Sequence, residues 1–240
     1  MTSTDSDRPT NFCQACTVRN RAICADLESG EIDMLNSIGR RRRLLAGEQL
    51  LWEGEEAVLV ANVIEGALKL STQTADGKEQ IVGVVYPSDF LGRPFGQTTP
   101  YGVEALTDSF VCIFERKDFD RFAREHPRLE HKLLERTLSE LDRTRRWMLL
   151  LGRMTAEQKL ASFLLETSER MQPAGCAASQ LTIEAFELPL SRQQIADVLG
   201  LTIETVSRQF TRMKKDGLID LPSRREVVIL DRQGLEDISG

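Results

Sequence analysis

Three cysteines near the N-terminus form the first group of residues that could bind a metal. Cys13 and Cys16 make a Cys-x2-Cys pair, and Cys24 follows after seven intervening residues. This spacing lets the first two thiolates reach one metal centre, and soft thiolates select zinc or iron–sulfur clusters. Three ligands complete neither kind of site, so a fourth must come from elsewhere. The alternative is a tail with incidental cysteines.

The rest of the chain offers four candidates for the missing ligand, which are Cys112, Cys176, His126 and His131. Cys112 falls in the alternating pattern of residues 110–114, where a lone cysteine is commonly a small buried hydrophobe. We interpret Cys176, in a loop of small residues, as uninvolved. Arg19 and Arg21 lie between the second and third cysteines and could offset the negative charge of a tetrathiolate centre.

A second group of polar residues has the chemistry to read DNA bases. Glu204, Ser207, Arg208 and Arg212 are spaced i, i+3, i+4 and i+8, so they share one face of a helix. An arginine can bind both acceptors of guanine, a glutamate can accept from cytosine, and a serine can serve several partners. The alternative is an ordinary solvated helix face.

Two short helices joined by a glycine turn must position that face. Ser191 with Gln194 predicts a capping box, Gly200 predicts the stop, and Thr202 can cap the second helix. The apolar positions of the second helix are Ile203, Val206, Phe210 and Met213. The predicted DNA contacts also include Ser191, Arg192 and Thr202.

A wing is predicted to follow the second helix. Leu218–Asp220 and Val227–Leu230 read as two short strands, and Arg224 and Arg225 between them are placed to touch phosphate. Together these features predict a winged helix-turn-helix.

The charge distribution favours DNA contact on one surface only. The whole chain carries a net charge of −6, yet residues 191–225 hold seven Lys and Arg against four Asp and Glu, so that segment is +3 and the remainder is −9. The sequence has no secretory segment and no apolar run able to span a bilayer, so we expect a soluble, cytoplasmic protein without membrane contact.

Short apolar stretches separated by glycines fill residues 44–114, a pattern typical of a β-roll or jelly roll. A short helix at Glu31–Ile38 precedes them, and Arg40–Arg43 is interpreted as a solvated edge. The predicted strands are Leu44–Ala46, Gln49–Trp52, Val58–Ile64, Ala67–Gln73, Gln80–Val85, Val103–Ala105 and Ser109–Phe114.

A long helix is predicted to connect the roll to the DNA-binding part. Residues 128–152 contain no proline and no glycine before Gly152. Their apolar stripe has a 4–3 spacing that is compatible with a coiled-coil dimer interface. The alternative is that the stripe packs on the roll of its own chain. The stripe consists of Leu134, Leu138, Leu141, Arg145 and Met148.

The predicted fold is therefore α+β, with four parts in order. They are a cysteine-bearing N-terminal loop (1–30), a β-roll sensor domain of the cyclic-nucleotide-binding kind (31–126), a dimerisation helix (127–152) and a winged helix-turn-helix domain (153–240). Another capped helix is expected from Thr155 and Gln158, and it ends at Pro173–Gly175.

This order of parts resembles the CRP/FNR superfamily of bacterial transcription regulators from about residue 13 to residue 235. Glu204–Arg208 matches the Glu-x-x-Ser-Arg motif in the recognition helix of the FNR branch. The resemblance implies a homodimer in which Glu204, Ser207 and Arg208 read half-sites of a TTGAT…ATCAA palindrome. It also implies that the dimer recruits RNA polymerase.

Cys13, Cys16, Cys24 and Cys112 match the cysteine layout of the oxygen-sensing FNR proteins. The resemblance implies that they hold a [4Fe–4S] cluster that promotes dimerisation under low oxygen and is destroyed by oxygen. The third cysteine follows after seven residues rather than the five of the best-known member. Residues 91–102 lack the Arg-Ser phosphate clamp of the cyclic-AMP-binding members, so no cyclic nucleotide is expected.

Two other functions are weighed against this one. The same DNA-binding regulator could use zinc or a thiol–disulfide switch as its sensor. A roll-domain enzyme of the cupin kind would need clustered histidines on the roll strands, whereas the two histidines both lie beyond it. We therefore predict that the chain is not an enzyme.

Overall fold

The structure, a computed structural model, describes residues 12–77, 79–171 and 184–240. The predictions of a disordered start at residues 1–9, a helix end at Pro173–Gly175 and a loop around Cys176 concern residues outside these ranges.

Eight strands among the described residues form the roll as two antiparallel four-stranded sheets. The strands are β1 (Gly39–Leu44), β2 (Gln49–Leu51), β3 (Leu59–Glu65), β4 (Leu68–Gln73), β5 (Glu79–Val85), β6 (Phe90–Gly92), β7 (Gly102–Ala105) and β8 (Ser109–Glu115). Their order is β1-β8-β3-β6 in the first sheet and β2-β7-β4-β5 in the second. Apolar side chains fill the space between the sheets.

The first strand corrects one prediction. Strand β1 begins at Gly39 rather than at Leu44, so Arg40–Arg43 lie within the strand instead of ahead of it. It pairs with β8 alone, and its four arginines are exposed. Charged side chains are tolerated on such an edge, where they also discourage pairing with another chain. Strand β6 was not predicted, because it is defined by its pairing with β3, which is distant in the sequence.

The predicted alternation of β8 is confirmed. Val111 and Ile113 face the core between the two sheets. Cys112 and Phe114 face a second core on the outer side of the first sheet. This second core is covered by the N-terminal loop, by α1 (Ser29–Ile38), by α2 (Arg116–Glu125) and by the start of α3 (Pro127–Arg153).

Helix α3 has 27 residues and opens with Pro127 in its first turn, as predicted. Only Leu129, Leu133 and Leu150 of this helix are buried. The alternative, in which the apolar stripe packs on the roll of its own chain, is not what the structure shows, because the stripe residues are exposed. Their exposed fractions are 55% for Leu134, 53% for Leu138, 44% for Leu141 and 70% for Met148.

The C-terminal part is a winged helix-turn-helix. Its elements are α4 (Ala156–Met171), β9 (Glu184–Glu187), α5 (Arg192–Leu199), α6 (Ile203–Lys215), β10 (Ile219–Asp220), β11 (Glu226–Ile229) and α7 (Arg232–Ser239). The sheet has the order β10-β11-β9, and the helices enclose a third core. The two predicted wing strands, β10 and β11, are confirmed to within one residue at each end, whereas β9 and α7 were not predicted. None of the described helices is both long enough and apolar enough to cross a membrane.

Candidate functional site: a cysteine cavity and a recognition helix

Four cysteines line one small cavity between the N-terminal loop and the first sheet. Cys13, Cys16 and Cys24 come from the loop, and Cys112 comes from β8. The loop is a run of tight turns, in which the backbone N–H of Cys16 donates to the carbonyl of Cys13 at 3.3 Å. All four described cysteines are free thiols. The fold therefore collects residues separated by as many as 99 positions into one tetrathiol site.

Two side chains outside the loop hold its first cysteine in place. Nη2 of Arg41 donates to the carbonyl of Phe12 at 2.7 Å, and the guanidinium lies 5.4 Å from the centre of the Phe12 ring. The backbone N–H of Cys13 donates to Oδ1 of Asn36 in α1 at 3.3 Å. The loop is thus fastened both to the edge strand and to the first helix.

Apolar residues of the loop anchor it to the second core. Val18, Ala22 and Ile23 are buried, with exposed fractions of 3% or less. They share that core with Leu129 and Leu133 at the start of α3. The same interface carries ion pairs between Asp26 and Lys132 at 3.0 Å and between Glu28 and Arg128.

The surroundings favour the protonated form of Cys13, Cys24 and Cys112. The pKa of Cys13 and of Cys24 is raised to about 11, first by burial and second by the neighbouring Cys16. Burial also raises the pKa of Cys112, with Cys13 as the next cause. Arg41 acts in the opposite direction on Cys13 and Cys112, because its positive charge favours a thiolate. Four thiolates are therefore stable together only around a cationic centre.

The donor set of four cysteine thiols is of the kind that holds an iron–sulfur cluster or a zinc ion. A tetrahedral zinc site needs four sulfurs about 3.8 Å apart, since each lies about 2.3 Å from the metal. Within the described ranges, no group of three or more Cys, His, Asp or Glu side chains is placed to hold a metal ion. A [4Fe–4S] cluster has one thiolate on each of four irons, so its ligands stand further apart. Four thiols line one cavity together with Arg19 and Arg41, so the residue types present fit such a cluster.

The structure separates three of the four candidates for the missing ligand. Cys112 lies at the cavity, whereas His126 stacks on Phe122 with ring centres 3.8 Å apart. His131 is exposed on α3 and lies 3.3 Å from Glu135. Cys176 lies outside the described residues.

Sequence reasoning missed two residues at the cavity, Arg41 and Asn62. Both are cross-strand partners of Cys112, one in β1 and the other in β3. The sequence predicts Arg41 in a solvated edge and Asn62 at one position of an apolar strand. It does not show that β8 pairs with these two strands, and this pairing is what brings both residues to Cys112. Of the two arginines predicted to offset the charge of the thiolates, Arg19 lines the cavity. Arg21 is not among the lining residues, and its Nε is buried.

The helix-turn-helix is capped as predicted. Oγ of Ser191 accepts from the backbone N–H of Gln194 at 3.3 Å, and the Gln194 side chain accepts from the backbone N–H of Ser191 at 2.9 Å. Gly200 takes a left-handed conformation with φ of 62° and ends α5. Oγ1 of Thr202 accepts from the backbone N–H of Thr205 at 3.2 Å and begins α6.

The predicted polar face of α6 is exposed. Glu204, Ser207, Arg208 and Arg212 all reach solvent, while Val206, Phe210 and Met213 on the opposite side are buried. Backbone N–H donation at the helix start, together with the Thr202 hydroxyl, lowers the pKa of Glu204, so this side chain is an acceptor at neutral pH. Ile203 was predicted to be on the apolar face but is 36% exposed, because it lies in the first turn beyond the core.

Arg192 differs from the other predicted DNA contacts. Its guanidinium packs over the ring of Phe210 at 3.1 Å from the ring centre, and desolvation lowers its pKa to about 10. Arg224 and Arg225 are exposed at the wing. Oγ of Ser223 fixes that turn by accepting from the backbone N–H groups of Arg225 and Glu226. Arg192 therefore supports the packing of α5 on α6, and its contact with DNA stays a prediction.

Comparison with known proteins gives the family. Residues 41–126 match the model of a cyclic nucleotide-binding domain, and residues 158–238 match that of a Crp-like helix-turn-helix domain. The transcriptional activator protein FnrL of Cereibacter sphaeroides is 42% identical over 228 residues, which are 95% of this chain and 92% of FnrL. The chain belongs to the CRP/FNR family of transcription regulators. The nitrogen fixation regulation protein FixK of Bradyrhizobium diazoefficiens is 38% identical over 87% of this CRP/FNR regulator and 86% of FixK.

The architecture agrees with that membership. The solved structure of FixK2 from Bradyrhizobium japonicum matches with a TM-score of 0.75 at 32% identity, covering 85% of this chain and 98% of FixK2. This CRP/FNR regulator is thus a transcription activator that binds DNA through its helix-turn-helix, and it is not an enzyme. The match of the roll to a cyclic nucleotide-binding domain describes its fold. That the roll takes no cyclic nucleotide stays a prediction.

Proposed function

We propose that this activator is a cytoplasmic homodimer gated by an oxygen-labile [4Fe–4S] cluster. The observation that carries the proposal is that four cysteines meet at one cavity, namely Cys13, Cys16, Cys24 and Cys112. The first three belong to a loop that packs against the start of α3. When bound, the cluster supplies four metal–thiolate bonds that tie the loop to β8. Oxygen is the signal, and the dimer binds DNA when oxygen is low.

The chain's own residues carry the signal from the cavity to the dimer interface. The loop shares its core with Leu129 and Leu133, and Lys132 pairs with Asp26 at the loop's end. The exposed stripe of α3 continues from this point along the helix. A firmly held loop fixes the start of α3, and a released loop frees it. Such a change acts on the pairing of the two α3 helices in the dimer. Within one chain, little of the surface of α3 is buried.

The second part of the proposal concerns the DNA. A two-fold dimer presents two copies of α6 about one helical turn of DNA apart, which requires a palindromic site. We propose that Glu204, Ser207 and Arg208 read the TTGAT half-site and that Arg212 supports them. Ser191, Arg192 and Thr202 complete the predicted contact surface, and the bound dimer recruits RNA polymerase.

Metal analysis of protein purified without oxygen tests the proposal. We expect about four iron and four sulfide per chain, with a visible absorption that bleaches in air. Cys112→Ser should lose the iron and the colour, whereas Cys176→Ser, the matched control, should keep both. Sedimentation of the same samples should show a dimer before bleaching and a monomer after it.

Two results would contradict the cluster. Stoichiometric zinc would favour the alternative of a zinc sensor in the same regulator. A metal-free protein that gains a disulfide on oxidation would favour a thiol–disulfide switch. Neither result would affect the assignment as a CRP/FNR activator.

A further inference from the structure

Asn62 is a polar residue inside an apolar wall of the cysteine cavity. It lies in β3 directly opposite Cys112, is 4% exposed, and lines the cavity beside Ile64 and Phe114. The strand on the other side of Cys112 places Arg41 opposite the same residue. Cys112 is thus the one described cysteine held in a sheet, and Asn62 is its neighbour on the buried side.

The amide oxygen of Asn62 has no hydrogen-bond partner among the described residues, although it is buried. A buried amide atom without a partner destabilises a fold, and an apolar residue of similar size at the same place is normally more stable. The folded chain alone therefore gives no reason for an asparagine here.

A sulfur-rich ligand in the cavity would give that reason. The amide of Asn62 carries two N–H donors on Nδ2, which can be directed at a ligand in the cavity that this side chain lines. Sulfide and thiolate sulfurs of a cluster accept hydrogen bonds, and such bonds raise the reduction potential of the cluster. Backbone N–H groups of β3 and β8 are engaged in the sheet, so on this wall of the cavity the donor must come from a side chain.

We propose that Asn62 is a positioning residue whose amide donates a hydrogen bond to a sulfur of the cluster and thereby slows its attack by oxygen. The inference rests on the cluster of the proposed function. It adds a residue that sets how long the sensor survives in air, besides the four that hold the cluster.

The test compares Asn62→Leu with Asn62→Ser and with Ile64→Val. Leucine has a similar size without a donor, serine keeps a donor, and Ile64→Val changes the same cavity wall without changing hydrogen bonding. Proteins loaded with equal iron are exposed to air, and the bleaching rate is followed. We expect Asn62→Leu to bleach roughly tenfold faster than wild type, Asn62→Ser to fall between them, and Ile64→Val to match wild type.

Thermal unfolding of the metal-free proteins supplies a second readout. Removing the unsatisfied amide should raise the midpoint of Asn62→Leu by about 2–4 °C, the opposite sign to its effect on the cluster. A residue with a merely structural role would not produce this opposition.

Three results would overturn the inference. They are bleaching of Asn62→Leu at the wild-type rate, a lower unfolding midpoint for metal-free Asn62→Leu, and loss of loading in both Asn62 variants while Ile64→Val still loads. Absence of iron from the wild-type protein is detected separately in the metal analysis, and it would overturn the proposed function together with this inference.

Discussion

Two arginines of the recognition helix differ in how freely they can reach DNA. Nη2 of Arg208 donates only a 3.3 Å hydrogen bond to Oγ1 of Thr205, a contact that is easily exchanged for a base edge. Arg212 forms ion pairs with Glu157 at 3.2 Å and with Asp216 at 3.6 Å. The side chains of Arg208 and Arg212 are both exposed, so each ion pair of Arg212 is weak by itself. Together the two ion pairs direct Arg212 along the protein surface. We infer that Arg208 carries more of the specificity.

Substitution of Arg208 should therefore remove specificity rather than general affinity. A bidentate contact with guanine is worth about 1–3 kcal/mol of discrimination, which corresponds to about 5- to 150-fold in affinity. We expect Arg208→Ala to lose this factor on the palindrome and to change little on unrelated DNA. Arg224→Ala at the wing should weaken binding to both DNAs similarly, because its contact is with phosphate. Equal losses on both DNAs for Arg208→Ala, measured by fluorescence anisotropy at fixed salt, would contradict base readout.

At the scale of elements, α3 is long and largely unburied within one chain. Its apolar stripe is exposed over four turns, and the stripe is interrupted by Arg145, whose exposed side chain pairs with Asp142 of the same helix at 3.3 Å. In a parallel two-fold helix pair, each stripe residue faces its own copy, so Arg145 would face Arg145. Like charges at such a position weaken the pair, and a weak pair can be controlled by the loop.

Replacing this arginine should relieve the dependence on the cluster. We expect Arg145→Leu to shift the metal-free protein from monomer towards dimer, because it removes the like charges and adds an apolar side chain to the seam. Arg146→Leu makes the same chemical change one residue further along, away from the stripe, and should stay monomeric. Sedimentation velocity at matched concentrations measures both. A monomeric Arg145→Leu would show that the arginine does not weaken the interface.

Elements with a strong local signal were predictable from sequence. The capping boxes at Ser191 and Thr155, the left-handed turn at Gly200 and the alternation in β8 all follow from residues close together in the chain. Strands β6 and β9 were missed because residues distant in sequence stabilise them through pairing with β3 and β11. The start of β1 was missed because an exposed edge strand need not look apolar.

The site divides in the same way. The four thiols could be proposed from cysteine spacing and from the family resemblance. Arg41 and Asn62 could not, since their positions opposite Cys112 depend on the order of the first sheet. The packing of Arg192 over Phe210 likewise depends on how two helices cross.

At the scale of the whole molecule, the roll has two cores with different roles. The core between the sheets contains Ile113, and the outer core contains Ile23 together with Leu129 and Leu133 of α3. Both isoleucines are almost completely buried, with exposed fractions of 1% for Ile113 and 0% for Ile23. The outer core joins the cysteine loop to α3, the proposed dimerisation helix, whereas the inner core only holds the sheets together. The signal should therefore depend on the outer core.

Identical substitutions in the two cores separate stability from signalling. Ile23→Val and Ile113→Val each remove one buried methylene group and should each cost about 0.5–1.5 kcal/mol of unfolding free energy. We expect both cluster-loaded variants to keep their iron, but only Ile23→Val to dissociate more readily into monomers. A dimer carries two copies of the substitution, so the weakening cannot exceed twice the packing energy lost per chain, which is roughly 150-fold in the dimer dissociation constant. Equal dimerisation of the two loaded variants would mean that the loop does not act on α3 through this core, and that the ion pairs of Lys132 and Arg128 carry the coupling instead.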